Sequence, residues 1–210
     1  MPRRSRIGGS AGFDAAAHGA QFRDRIAIVV RASPESIFEA LHAVRLSDMK
    51  LAWLLGEIRY LPMRLRGRRM PAAATARPFF DMLIEGGTLV LHDDPPREII
   101  TGAAARYHRI DQSPQRFASG AEFDAFADPG HQKLFIGIRV TPTGRDGEHW
   151  LVLEHATRAL SAGSARRFRR YWRLIKPAGA FVTWRLLCAI RRRAERAQRH
   201  AALGPRRKAA

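Results

Sequence analysis

The chain has a single cysteine, Cys188, so no disulfide can form within it, and no Cys/His cluster offers a structural metal site. Lysine is scarce too: four of the 37 basic residues are lysine and the rest arginine, an arginine bias that weakens any argument from arginine number alone. No apolar run is long enough to cross a bilayer, because the longest stretch near the C-terminus is broken by Lys176, Pro177 and Arg185. The opening MPRRSRIGGSAGFDAAAHGA carries charge but no apolar segment behind it, so neither a secretory nor a twin-arginine signal is read there. A glycine-rich phosphate loop, a Gly-x-Ser-x-Gly elbow and a catalytic Cys/His pair are all lacking. A reduced, cytoplasmic setting is the expectation that follows.

What is present is a chain of 210 residues, 46% of them apolar, enough for one domain with a substantial core. The net charge of +18 suggests nucleic acid until it is divided along the chain. From Ser164 onward there are 15 basic residues against one acid, Glu195, and the first ten residues add Arg3, Arg4 and Arg6. Residues 11–163 carry 19 basic and 18 acidic side chains, so the body is close to neutral and the excess lies at the two ends.

Periodicity predicts the order of elements. Residues 1–22 are rich in Gly, Ala and Arg without a period and read as disordered. DRIAIVVRA (24–32) alternates as a strand. Ser33 as N-cap with Pro34 behind it opens a helix whose apolar face is Ile37, Phe38, Leu41 and Val44. A second short helix is predicted over 48–61, a basic Pro-bounded loop over 62–74, and a third short helix over 75–87 with Thr75 as N-cap and Gly-Gly at its end. The period then becomes two: strands are predicted at 88–94, 97–110, 132–142 and 148–160. Between the second and third of these, the Ser-x-x-Glu of SGAEFDAF (119–126) predicts one helical turn. About 35 helical residues from 164 to 199, interrupted at Pro177, close the domain; 200–210 read as a basic disordered tail. The class is α+β, with a domain at 23–199.

RRFRRYWRLIKP (166–177) sets five arginines and a lysine among aromatics. On a helix, Phe168, Tyr171, Trp172 and Ile175 fall on one stripe, extended by Phe181, Val182, Leu186 and Ile190, while Arg166, Arg169, Arg170 and Arg173 project mostly to the other side. Aromatics aligned with aliphatics fit a helix packed on a sheet; a nucleic-acid reader leaves them out for stacking. Nucleic acid is therefore not the expected partner.

The whole order, with RRFRRYWRLIKPAG followed by LLCAIRRRAE, and with PREIITGAAARYHR (96–109), EFDAFADPGHQK (122–133) and LEHATR (153–158), resembles bacterial members of the SRPBCC superfamily, the START-like or pollen-allergen-like helix-grip proteins. The resemblance spans about residues 24–196. It implies a curved antiparallel sheet wrapped around the long C-terminal helix, short helices after the first strand, and an apolar cavity between sheet and helix. Members bind or carry lipids, sterols and polyketides, and a few are cyclases or hydrolases; they share no catalytic motif to carry over.

On that basis the expected cavity wall is Trp53, Phe80, Leu83, Tyr107, Ile136, Ile138, Phe168 and Trp172, with Ala104, from the small run Gly102-Ala103-Ala104-Ala105, leaving room for a guest or for close helix packing. Glu154 and Arg158 share a strand face with Trp150 and Val152. If that face is inward they are the few polar groups of the cavity; otherwise they form an ion pair at the sheet rim. Cys188 reads as a small core residue. The eight histidines form no metal constellation, and no cofactor is expected.

The function expected is binding or transport of a hydrophobic or amphipathic small molecule or lipid, with binding favoured over catalysis and catalysis left open. A cyclase- or hydrolase-like enzyme using Glu154 or Tyr107 is one alternative. The other is a surface binder for an anionic membrane or nucleic acid, acting through the basic ends and the Met63, Leu65 and Met70 of the 62–74 loop.

Overall fold

The computed structural model describes residues 8–49, 77–109 and 112–203. Among these described residues there are five strands: β1 (Phe22–Val30), β2 (Leu89–Asp94), β3 (Glu98–Ala105), β4 (Gln132–Pro142) and β5 (His149–Ala159). They form one antiparallel sheet in the order β1-β5-β4-β3-β2, so β1 and β2 are its edges. The helices are α1 (Ala11–Ala16), α2 (Pro34–Ala43), α3 (Phe79–Glu85), α4 (Gly120–Ala125) and α5 (Ala162–Leu203), with a 3₁₀ turn at Leu46–Met49. The chain is therefore α+β, a five-stranded antiparallel sheet with a long C-terminal helix.

Register sorts every strand residue onto one of two faces, because side chains alternate and cross-strand partners point the same way. One row runs Ile28–Leu151–Val140, and its neighbour Ile26–Leu153–Ile138–Ile99. Leu186, Leu187, Ile190 and Ala194 of α5 and Ile37, Phe38 and Leu41 of α2 pack on this face. Each such aliphatic side chain, taken out of water, contributes about 1.5–3 kcal/mol. The opposite face carries the row Arg25–Glu154–Gly137–Ile100. Its apolar residues form a second core, in which Phe13 and Ala17 meet Ile100, Ala104, Phe123, Phe135 and Ala156.

For residues 8–22, the described part of the segment expected to be disordered, that second core corrects the expectation. Ser10 caps α1 by accepting from the Phe13 N–H at 3.1 Å, and Phe13 is buried, so one aromatic anchors a segment whose composition reads as linker. The other expectations differ in their bounds. Ser33 and Ser119 cap α2 and α4 as expected, accepting from Ser36 and Glu122 N–H at 3.2 Å each. Helix α3 starts at Phe79 behind Pro78 and has no side-chain cap. Helix α5 is not interrupted: Pro177 lies inside it, the flanking turns holding the helix through the lost N–H. Strand β3 ends at Ala105, so Tyr107 stands in a turn. Trp53, Thr75, most of the 48–61 helix and the 62–74 loop lie outside the described residues.

Candidate functional site

Helix α5 touches the sheet at both ends of its run beside β1. At one end Phe168 meets the Phe22 ring edge-on at 4.8 Å, with Trp172 stacked on Phe168 at 5.9 Å. At the other end Leu186, Leu187 and Ile190 enter the core. Between them Arg173, Leu174 and Pro177 to Gly179 are exposed, and a cleft opens between helix and sheet and continues around the β1 edge, about 1030 Å³ in all. The local sequence explains the gap. Pro177 has no N–H to give the Arg173 carbonyl, and the residues behind it, Ala178, Gly179 and Ala180, bring almost no side chain. A Cβ placed on Gly179 would meet nothing within 4 Å.

The cleft floor on β1 and β5 is Asp24, Ile26 and His155; its helix wall is Arg173, Lys176, Pro177, Ala180 and Trp184. The cleft also reaches over the β1 edge to Arg23, Arg25, Glu154 and Phe13 on the second face. Asp24 and His155 are direct cross-strand partners. Burial pushes the His155 imidazole down to about 4, against the opposing pull of the Asp24 carboxylate, so the ring is neutral at pH 7. Neither Arg173 nor Lys176 makes an ion pair among the described residues. Spaced at i and i+3, they put two cations on the same wall as Pro177, Ala180 and Trp184. The arrangement offers apolar surface for the body of a small molecule and two charges for an anionic end.

The sequence-selected residues divide between the two faces. Ile136, Ile138, Phe168 and Trp172 lie on the α5 side, where Ile138 and Phe168 are buried and Trp172 and Ile136 half-buried. Phe80 is also in that core, edge-on to His42 at 4.9 Å, and Leu83 is half-buried on the same helix. Ala104 lies on the opposite face, fully buried in the second core, and leaves no room for a guest beneath α5. The Tyr107 N–H donates to Gln132 Oε1 at 3.0 Å beyond the end of β3, which holds that turn against β4.

Glu154 and Arg158 also lie on the second face and do not pair with each other. Four residues along a strand separates them by about 13 Å. Glu154 instead accepts from Arg25 Nε at 2.6 Å and Arg139 Nε at 3.2 Å, both oxygens occupied. Arg139 is buried and also donates to the Gly8 carbonyl, while Ser10 Oγ donates to Glu98 Oε2 at 2.8 Å, so the N-terminal segment lies over this polar network. Arg158 donates to the His18 carbonyl at 3.0 Å and lies 5.3 Å from the Phe135 ring centre. Lys133, on the same face, is buried; its Nζ donates to the Asp124 carbonyl at 3.0 Å and lies 5.0 Å from the Phe123 ring centre. Burial, and then the nearby Arg158, lower its pKa.

Among the described residues no three of His, Cys, Asp and Glu are grouped to hold a metal ion, and no helix is long and apolar enough to cross a membrane. Of the residues chosen from sequence that lie among the described residues, Glu154 alone lines the cleft. Asp24, His155, Lys176, Ala180 and Trp184 were missed. The available signal was the Pro-Ala-Gly-Ala stretch, which removes side-chain bulk from the middle of a helix otherwise dense in large residues. No family model, curated protein or solved structure matches the chain.

Proposed function

We propose that the chain is a helix-grip protein of the SRPBCC kind that binds, and carries, a hydrophobic or amphipathic small molecule in the cleft between β1, β5 and α5. The observation that carries this reading is the division of α5: it packs at Phe168 and again from Leu186 to Ile190, and between them opens a cleft that continues over the β1 edge, about 1030 Å³ in all. A volume of that size suits a drug-sized or lipid-sized guest. Ile26, Pro177, Ala180 and Trp184 supply apolar surface, and Arg173 and Lys176 supply the charge that would orient a guest with an acidic end. The sheet order, the short helices after β1 and the long closing helix support the helix-grip assignment.

A cyclase or hydrolase using Glu154 and Tyr107 finds less support. Both Glu154 oxygens are held by arginines, and Tyr107 belongs to a turn that does not line the cleft. The binding reading is tested with Ala180→Phe, which fills the cleft from the helix wall. Uptake of an apolar fluorescent probe should fall at least tenfold while the circular dichroism spectrum is retained. Unchanged uptake in a folded variant would refute the cleft as the site.

A further inference from the structure

The solvent side of α5 is basic before Pro177 and apolar after it. Arg166, Arg170, Arg173 and Pro177 follow one another at three- and four-residue spacing, and the same side continues through Phe181 and Trp184. Arg166 to Trp184 span about 27 Å along the axis. Leu174, between the arginines, is 81% exposed, and Trp184 is 40% exposed, two of the few large apolar side chains in the described residues left in water. Arg166, Arg167, Arg169, Arg170 and Arg173 are without ion-pair partners among the described residues, and α5 holds no acidic residue before Glu195. Like charges at i, i+3 and i+4 repel, so this density of arginine carries a cost that an external anion would relieve.

We propose that this face of α5 docks on an anionic lipid bilayer, with the arginines at the level of the phosphates and Leu174 and Trp184 in the acyl boundary. Charge complementarity selects an anionic surface, and the exposed leucine among the arginines selects lipid over nucleic acid. A bilayer interior rewards burial of leucine, whereas a phosphate backbone offers it nothing. Arg173, Pro177 and Trp184 belong to both this face and the cleft, so the docked orientation brings the cleft mouth to the bilayer. The docking itself stands on exposure and charge alone, independent of what the cleft holds.

The test uses the full chain and sedimentation with phosphatidylcholine vesicles, with and without phosphatidylglycerol. Binding is expected to the mixed vesicles only, and to weaken as salt is raised. Each basic residue near such a surface is worth about fivefold in affinity, so Arg170→Glu, a change of two charges, should weaken binding by about twenty-five-fold. Leu174→Ser should weaken binding several-fold and leave its salt dependence intact. Both side chains are exposed and neither lines the cleft, so the fold and guest uptake should be unchanged, and failure of one account leaves the other standing. Equal binding to pure phosphatidylcholine, no binding to either vesicle, wild-type binding by both variants, or capture by oligonucleotides in place of vesicles would each overturn the proposal.

Discussion

Phe13 rests directly on the backbone of Gly137: a Cβ built on Gly137 would lie 2.5 Å from Phe13 Cδ2. The contact joins α1 to the middle of β4 and makes the absence of a side chain at Gly137 a requirement for docking the N-terminal segment. Gly137→Ala should push Phe13 out of the second core and destabilise the fold by about 1–3 kcal/mol. Limited proteolysis checks it: cleavage before Gln21 should accelerate in the variant while the remainder of the chain resists.

Glu154 is the shared anion of two arginines, Arg25 and the buried Arg139. Glu154→Ala leaves the Arg139 guanidinium under the N-terminal segment without its carboxylate. A loss of about 3 kcal/mol or more is expected from removing one partner of a buried pair. Denaturant unfolding measures it, and the midpoint should fall far more than for Asp14→Ala, whose pair with Arg23 is exposed.

Ala104 is fully buried beneath Phe123 and Phe135 in the second core, so a large side chain there meets packed aromatics. Ala104→Phe should therefore act on stability, by about 1–3 kcal/mol or more, and leave guest uptake by the folded fraction unchanged. A thermal melt together with the probe-uptake assay distinguishes this from a block of the cleft.

His155 gives the fold a pH dependence of defined sign. Its folded pKa, about 4, lies below the ordinary histidine value of 6.5, so the unfolded chain binds the proton more tightly. The stability held by the neutral ring is complete above pH 6.5 and is lost as the pH falls towards 4, by on the order of 3 kcal/mol. His155→Leu should remove that component: the wild-type protein should lose more stability than the variant between pH 7 and pH 4.5 in urea titrations. Parallel losses would contradict the placement of the ring.

Most strand positions and the Ser33 and Ser119 caps were legible because each is a local matter. Ile26, Ile28 and Val30 alternate; Ser33, Pro34 and Ser119 are capping and first-turn residues; and β4 begins and ends where its alternation does. The faces were not legible, because register decides them. Whether Glu154 and Ala104 face α5 or the second layer depends on pairings that alternation within one strand leaves open. The second layer was itself hidden, since Phe13 is one aromatic in a Gly/Ala segment and its burial depends on Gly137, more than a hundred residues away. The local cost of Pro177 predicts a break, yet the packed turns on either side outweigh that cost, and the helix runs on with a cleft at its side.

The measurement that bears most directly on the cleft as a binding site is native mass spectrometry of freshly purified protein, set against the denatured mass of the same sample. An extra mass of small-molecule or lipid size, lost on denaturation and absent from Ala180→Phe, is the predicted result. Identical native and denatured masses, together with no uptake of added long-chain fatty acid or lysophospholipid by the folded protein, would contradict it.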